Sequence, residues 1–138
     1  MIIGSVLIFQ EFIENRPGAI VGFSFMALAG FGTILVGLFP ENTVHILHEF
    51  GALLPFLIGN IGMIVLALSL DIPKWLRRYT ALSGAISLIA LARFLMEGYL
   101  GLGIGGMERI VAYPQTIWLI VFGIYMSANR YSKLKGRK

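Results

Sequence analysis

The chain has 138 residues, of which 57% are hydrophobic and only 13% are charged, and it contains no cysteine. Soluble globular domains are about 45–50% apolar and about 25% charged, so this composition argues against a soluble enzyme, a nucleic-acid-binding module and a disordered chain. The net charge of +4 comes from residues that lie between long apolar runs, which is typical of a protein oriented in a membrane, and a chain without cysteine has neither disulfides nor thiolate metal sites.

The first predicted element is a short helix at about 1–13, which is apolar except for Ser5, Gln10 and Glu11. With a rise of about 1.5 Å per residue, such a helix reaches about 20 Å, which is less than the hydrocarbon core of a bilayer. The segment has no basic start and no small-residue cleavage site. It is therefore predicted to be a partial span rather than a cleaved signal peptide.

Four longer apolar runs follow, at 18–39, 50–70, 80–96 and 110–128. Each is close to or above the roughly 20 residues that a helix needs to cross a bilayer. None alternates polar and apolar residues as a barrel strand does, and backbone groups in lipid must be paired, so all four are predicted helices. The predicted fold is all-α, a polytopic membrane bundle with one domain at 1–138. Its helices are expected at about 1–13, 18–39, 46–70, 79–97 and 110–130, with a basic tail at 129–138.

The basic residues predict the orientation of the bundle, because short cytoplasmic loops are enriched in Lys and Arg. Nine of them fall on one predicted side and two on the other. The first set is Arg16, Lys74, Arg77, Arg78, Arg130, Lys133, Lys135, Arg137 and Lys138, and the second is Arg93 and Arg109. The segments 14–17 and 71–78 and the tail are therefore predicted to be cytoplasmic in a cell membrane, and the loops 40–49 and 97–109 to lie outside. We expect the tail to contact anionic lipid and not nucleic acid.

Small residues recur at helical spacing in several of the runs. Gly18 and Gly22 form one such pair, and Gly30, Thr33 and Gly37 lie along a similar stripe. Small residues let the backbones of membrane helices approach closely. We expect contacts within the bundle, because several helices share the pattern, and a homo-oligomer interface is the alternative.

The predicted outer loop at 40–49 reads PENTVHILHE and has no Lys or Arg. Its proline is expected to end the preceding helix. If the next helix starts within this segment, then Glu41, His45, His48 and Glu49 lie on one helix face. Four ionisable groups beside hydrocarbon are unfavourable unless they meet water, partners or a ligand.

The second polar region covers 93–114 and reads RFLMEGYLGLGIGGMERIVAYP. Arg93 and Glu97 are four residues apart and are expected to form an ion pair. The stretch 98–106 contains five glycines, so it is predicted to be a flexible or re-entrant connection rather than a helix.

The last predicted helix follows Glu108 and Arg109 and includes Pro114, which is expected either to start the helix or to kink it and free a carbonyl for a ligand. The predicted orientation brings this region to the same face as the first polar loop. The candidate ligand-binding residues are therefore Glu41, His45, His48, Glu49, Arg93, Glu97, Glu108 and Arg109.

Three interpretations of this polar cluster remain open. The charges could pair with one another in a purely structural or accessory subunit, or the cluster could bind a lipid headgroup or small polar ligand whose phosphate the arginines hold. Alternatively, His45, His48 and Glu41 (or Glu108) could hold zinc in a metal-dependent lipid hydrolase. The HxxH spacing lacks the catalytic glutamate of HExxH, so no cofactor is expected and no catalytic residue is assigned.

The segments GTILVGLFPE at 32–41 and GLGIGGMERIVAYP at 101–114, followed by Trp118, resemble a known family. It is a family of prokaryotic multipass membrane proteins known as a domain of unknown function, number 998. Its members have more predicted spans, so the resemblance implies that the first span and part of the second are missing here, and that the chain is either a fragment or a short natural version. The resemblance implies no activity, and it places Glu41, Glu108 and Arg109 in the segments that define the likeness.

Overall fold

The structure, a computed structural model, describes the backbone of residues 16–135 and the side chains of residues 16–129. The short helix predicted at 1–13 and the end of the basic tail lie outside the described residues. Within 16–135 the chain is helical apart from short connections, and no strand occurs there. The all-α class is therefore confirmed for this part of the chain.

Five α-helices and one π-helical segment make up the described bundle. They are α1 (Pro17–Leu38), α2 (His45–Leu53), the π segment (Leu54–Gly59), α3 (Asn60–Ser69), α4 (Lys74–Leu95) and α5 (Gly103–Lys135). The π segment joins α2 and α3 into one continuous helix.

Three helical stretches in the described part are long and apolar enough to cross a membrane: Pro17–Leu38, His45–Ser69 and Gly103–Asn129. The helix α4 is as long as α1, with 22 residues each, but it carries basic residues in its first turn and near its end and is not among the three. The chain is therefore of the membrane-embedded helical type, and the prediction of four full spans is supported for three.

Prolines mark several helix boundaries in the way their chemistry dictates. Pro17 occupies the first turn of α1, where its missing N–H is not needed, and Pro73 immediately precedes α4. Pro40 follows the end of α1 and starts a turn that the Thr43 hydroxyl closes by donating to the Pro40 carbonyl at 2.7 Å. The next helix therefore begins only at His45.

Glycines allow α1 to pack closely on the continuous helix α2–α3. An added β-carbon at Gly22 would lie 2.6 Å from a Leu66 side-chain carbon, and one at Gly32 would lie 2.5 Å from the Gly51 carbonyl oxygen. Gly18 likewise faces the Ser69 side chain. The predicted pair Gly18 and Gly22 thus makes contacts within the bundle, as close-packed membrane helices require.

Two groups of buried side chains fill the described bundle. One is centred on Trp118 and Phe122, and Trp118 Nε1 donates to the Thr80 hydroxyl at 2.7 Å. The other joins the end of α4 to the start of α5 through Leu91 and Met107. The outer surface exposes large apolar side chains, which is what a lipid-facing surface presents. Examples are Leu68, Leu82, Ile89, Ile120 and Ile124.

The prediction of a flexible connection at 98–106 is wrong for its second half, since α5 begins at Gly103. The turn before it contains positive φ angles at Glu97 (56°), Leu100 (50°), Gly101 (76°) and Gly103 (70°). Glycine disfavours a helix by about 1 kcal/mol per residue, but burial of an apolar face outweighs that preference. Met107 is 1% exposed in the first turns of α5 and supplies such a face.

The basic residues near the start of α1 and the start of α4 lie at one end of the bundle. Arg16 contacts Asp71, with 3.6 Å between Nη2 and Oδ2, and donates from Nη1 to the Ser69 carbonyl at 3.3 Å. Arg77 donates to the Leu70 carbonyl at 3.3 Å. The described residues of two segments predicted to be cytoplasmic, 16–17 and 71–78, thus share one end, and the side of the membrane on which that end lies stays a prediction.

Candidate functional site

Five of the eight candidate residues line a single cavity of about 340 Å³, which we call the rim cavity. They are Glu41, His45, His48, Glu49 and Glu108. The cavity lies between α2, the end of α4 and the start of α5, at the opposite end of α4 from Lys74. Its remaining lining is apolar or aromatic and consists of Ala52, Leu53, Phe56, Leu91, Phe94, Leu95, Tyr99 and Ile104.

The residues of the first polar loop reach the rim cavity in a different way from the prediction. His45, His48 and Glu49 lie on α2, but Glu41 lies in the turn before the helix, so the four residues do not share one helix face. The turn closed by Thr43 returns the chain so that Glu41 still lines the cavity. The loop predicted at 40–49 is accordingly helical from position 45 onward.

The two histidines have different partners. His45 Nε2 lies 3.1 Å from a carboxylate oxygen of Glu49, one turn further along α2. His48 Nδ1 lies 3.0 Å from the Phe39 carbonyl oxygen. Because a carbonyl only accepts, His48 Nδ1 is the donor of this hydrogen bond.

The three remaining candidates, Arg93, Glu97 and Arg109, do not line the rim cavity. The predicted ion pair between Arg93 and Glu97 does not form in the described bundle, because α4 ends at Leu95 and Glu97 has left the helical conformation. Arg93 lies instead against Gly98, where an added β-carbon would be 3.1 Å from its Nε. Arg109 donates from Nη1 to the Gly105 carbonyl of its own helix at 3.3 Å.

Apart from its two histidines, the ionisable side chains that line the rim cavity are all acidic. Three carboxylates line it, from Glu41, Glu49 and Glu108, and no Lys or Arg does. A clamp of two arginines around a phosphate, expected from the sequence, is not assembled there. Three carboxylates instead suit a ligand that is cationic or donates hydrogen bonds.

The zinc hypothesis gains no support from the side-chain positions. Among the described residues, no group of three His, Asp or Glu side chains is close enough together to hold a metal ion. The predicted set of His45, His48 and Glu41 is therefore not brought together in the described structure.

A second cavity of about 300 Å³, which we call the deep cavity, adjoins the rim cavity. The two share His48, Ala52, Phe56 and Glu108 as common lining. The other lining residues of the deep cavity are Thr33, Val36, Pro55, Ala112, Gln115 and Thr116. Gln115 is only 1% exposed, so this cavity reaches a buried amide.

Two amides connect the interrupted helices beside the deep cavity. Gln115 follows Pro114 in α5 and donates from Nε2 to the carbonyl of Pro55 in the π segment. In return, Asn60 Nδ2 donates to the Val111 carbonyl of α5 at 3.2 Å. Proline lacks an N–H, and a π turn shifts the backbone bonding pattern, so such sites present carbonyls that side chains can bind.

The sequence analysis missed Asn60 and Gln115. Their signal was present, since each is an uncharged amide within an apolar run and close to a proline. Polar residues inside a membrane segment are costly unless partnered and therefore mark candidate sites. Of the two alternatives for Pro114, the interior position is observed, because it lies inside α5.

Three buried oxygens have no hydrogen-bond partner in the described residues: the amide oxygens Asn60 Oδ1 and Gln115 Oε1, and the hydroxyl oxygen Ser87 Oγ on α4. Each belongs to a side chain that is 1% exposed or less. Buried polar atoms in proteins are nearly always hydrogen-bonded to protein, water or ligand. The two amide oxygens thus lack the donor that a buried acceptor normally has.

Comparison with known proteins gives a family and no activity. The family model described as "Protein of unknown function (DUF998)" matches residues 1–125, so the chain belongs to this family and the resemblance seen in its sequence is confirmed. Searches of curated proteins and of solved structures found no match.

Proposed function

We propose that this family member is a membrane protein that binds an amphipathic ligand carrying an ammonium group, such as a lipid with an amine-bearing headgroup. The observation that carries the proposal is the charge of the rim cavity, which is lined by three carboxylates and two histidines and by no Lys or Arg. An anionic headgroup would be repelled there, whereas an ammonium group would be attracted. This replaces the phosphate clamp expected from the sequence.

The polar side of the rim cavity offers two kinds of contact to an ammonium group. Glu108 is half-buried and can accept a charge-assisted hydrogen bond, which is stronger than a neutral one. Phe94 and Tyr99 line the same cavity and pack edge to face, with ring centroids 6.1 Å apart. Aromatic faces attract cations within about 6 Å, so these rings favour an ammonium or methylated ammonium.

The apolar side of the rim cavity suits the rest of such a ligand. Leu53, Leu95 and Ile104 line it and are also exposed on the outside of the bundle. An alkyl chain attached to the bound ammonium can therefore run along these side chains toward the surrounding lipid. Ligand sites commonly combine an apolar wall with a few placed polar groups in this way.

We also infer that α4 is a fourth span and that the rim cavity opens on the non-cytoplasmic side of the cell membrane. The support is the distribution of basic residues, since Arg16, Lys74 and Arg77 lie at the opposite end of the bundle from the rim cavity. Short cytoplasmic segments carry such residues. The helices α1 and α4 have the same length, 22 residues each, so α4 is long enough to cross the same thickness of membrane as α1.

Native mass spectrometry of the purified full chain tests the ligand proposal. The probes are an ethanolamine-headed and a glycerol-headed phospholipid with the same acyl chains. We expect the ethanolamine-headed lipid to bind more tightly, and Glu108→Gln to weaken it by about tenfold, as the loss of one charge-assisted hydrogen bond predicts.

Glu97→Gln is the matched control, because it makes the same chemical change at a residue outside the rim cavity. It is expected to leave the preference for the ethanolamine-headed lipid unchanged. Equal binding of both lipids to the unmodified protein would refute the proposal, as would equal losses in the two variants.

A further inference from the structure

We propose that Lys74 and Arg78 bind the phosphate of an anionic phospholipid whose acyl chain lies along the exposed face of α4. The site is at the opposite end of α4 from the rim cavity and involves none of the residues that line it. It does not depend on the ammonium ligand proposed above, but it rests on the inference that α4 spans the membrane.

Lys74 and Arg78 are exposed cations that have no acidic partner among the described residues. The nearest acidic residue in the sequence, Asp71, is paired with Arg16 at 3.6 Å. The third basic residue of this segment, Arg77, donates to a backbone carbonyl at 3.3 Å. Two exposed cations without an anion nearby attract a partner of negative charge.

The exposed face of α4 leads from these two cations into a stripe of apolar side chains. At about 100° of rotation per residue, the members of this face fall within an arc of about 120° around the helix. They are Lys74, Arg78, Leu82, Ile86 and Ile89, and all of them are exposed. The buried residues of α4 lie on the opposite face of the helix. A single lipid can therefore contact both the cations and the apolar stripe.

The length of the stripe matches one leaflet of a bilayer. With a rise of about 1.5 Å per residue, the distance along α4 from Arg78 to Ile89 is about 16 Å. Half of a hydrocarbon core of about 30 Å is about 15 Å. A phosphate bound by the two cations therefore leaves its acyl chain beside apolar side chains through the whole leaflet.

Trp75 marks the level of the lipid headgroups beside the two cations. Its indole is 56% exposed and packs edge to face on Tyr125 of α5, with ring centroids 6.2 Å apart. Trp and Tyr are enriched at the membrane–water interface, where the lipid phosphates lie. An arginine can hold a phosphate through two parallel hydrogen bonds, and a lysine adds a second positive charge.

Quenching of Trp75 fluorescence by brominated lipid tests the site. The full chain is reconstituted in bilayers of a choline-headed phospholipid that contain a small fixed fraction of a lipid with brominated acyl chains. The headgroup of the brominated lipid is either glycerol, which leaves the lipid anionic, or choline. Bromine quenches an indole on contact, and the second of the two tryptophans, Trp118, is 0% exposed, so the quenching reports on Trp75.

We expect the glycerol-headed lipid to be enriched beside Trp75 by at least about fivefold over the choline-headed lipid, as the attraction of one basic residue to anionic lipid predicts. The enrichment should fall at about 1 M salt, which screens exposed charges. At matched ionic strength, inorganic phosphate should displace no more lipid than chloride does, because the acyl chain is part of the recognised ligand.

Matched double variants assign the enrichment to the two cations. Lys74→Gln/Arg78→Gln is expected to lose it. Arg93→Gln/Arg109→Gln removes the same number of charges at the end of the bundle where the rim cavity lies, and it is expected to keep the enrichment. All four positions are exposed, so the bundle is expected to fold in both variants.

The outcomes separate this site from the inferences on which it borders. Equal quenching by the two lipids in the unmodified protein, or an anionic preference that persists in Lys74→Gln/Arg78→Gln, overturns the proposal. Displacement by inorganic phosphate beyond that by chloride would mean that the ion alone is bound and also overturns it. Quenching by neither lipid would refute the span of α4 and this site with it.

The rim cavity can fail or hold independently of this site. Lys74→Gln/Arg78→Gln leaves the lining of the rim cavity intact, so this variant is expected to keep the preference for the ethanolamine-headed lipid in native mass spectrometry. Glu108→Gln, in turn, is expected to leave the quenching of Trp75 by the glycerol-headed lipid unchanged.

Discussion

Replacing Gly32 by alanine tests whether close backbone contact holds α1 against the continuous helix α2–α3. An added β-carbon there would lie 2.5 Å from the Gly51 carbonyl oxygen, 2.6 Å from the Leu54 β-carbon and 2.8 Å from the Pro55 δ-carbon. The first is a backbone atom, the second is a β-carbon and the third is part of a proline ring. None is the flexible end of a side chain, so α1 itself must move.

The expected magnitude follows from two opposing effects. Adding a methyl group to a packed core without room typically costs about 1–3 kcal/mol. Alanine also favours a helix over glycine by about 1 kcal/mol, which opposes the clash. We therefore expect Gly32→Ala to lower the free energy of unfolding by up to about 2 kcal/mol.

Gly37→Ala provides the matched control on the same helix, because an added β-carbon at Gly37 meets nothing within 4 Å. Thermal unfolding of the detergent-solubilised full chain, followed by circular dichroism of the helices, measures both variants. We expect a lower Tm for Gly32→Ala and an unchanged or slightly higher Tm for Gly37→Ala. Equal Tm values for the two variants would refute the close contact between α1 and α2–α3.

Three further predictions address orientation, packing and the site. The chain contains no cysteine, so His45→Cys and Asp71→Cys each introduce a single labelling site. A membrane-impermeant maleimide added to intact cells should label the His45→Cys variant and not the Asp71→Cys variant. The reverse pattern would show that the predicted orientation is wrong. Trp118→Phe removes the donor to Thr80 and leaves space where the buried indole lay, so it should lower the free energy of unfolding by more than about 1 kcal/mol in chemical denaturation. In a Thr80→Val background, where the partner is already absent, the loss should be smaller by about 1 kcal/mol, and equal losses in the two backgrounds would contradict the hydrogen bond. Arg93 does not line the rim cavity, so Arg93→Gln should leave binding of the ethanolamine-headed lipid unchanged in native mass spectrometry. A large loss of binding would instead favour the earlier hypothesis that the arginines hold the lipid phosphate.

The apolar runs were readable from the sequence because hydrophobicity and helix length are local properties. The first long helix was predicted at 18–39 and is observed at Pro17–Leu38, and the second was predicted at 46–70 and is observed from His45 to Ser69. The meeting of two distant polar regions also followed from topology, since Glu41 and Glu108 line one cavity. The membership of the chain in a family of unknown function could also be predicted, from short motifs in the same two regions.

The charge pairings could not be read in the same way, because they depend on where helices end. Arg93 and Glu97 have the spacing of a helical ion pair, but the turn at Glu97 separates them. Arg109 follows Glu108 directly, yet Arg109 donates to a carbonyl of its own helix whereas Glu108 lines both cavities. Adjacent residues on a helix point about 100° apart, so only the packed structure decides which one faces inward.

The glycine-rich stretch shows how tertiary packing overrides local preference. Its composition favours a loop, and the positive φ angles at Gly101 and Gly103 agree with a turn. The helix nevertheless starts at Gly103, because Met107 and Val111 bury against Ala90 and Leu91. That burial depends on residues from another helix, which no local pattern reveals.

The π segment Leu54–Gly59 has a consequence for the whole span in which it lies. One additional residue in a helical turn rotates everything beyond it by about 100° relative to a regular α-helix. The six residues thus set the angle at which the histidines of α2 and the amide of Asn60 in α3 face their different neighbours. Deleting a single residue from this segment would restore an even repeat and turn one half of the span away from its partners, even though every hydrophobic side chain remained.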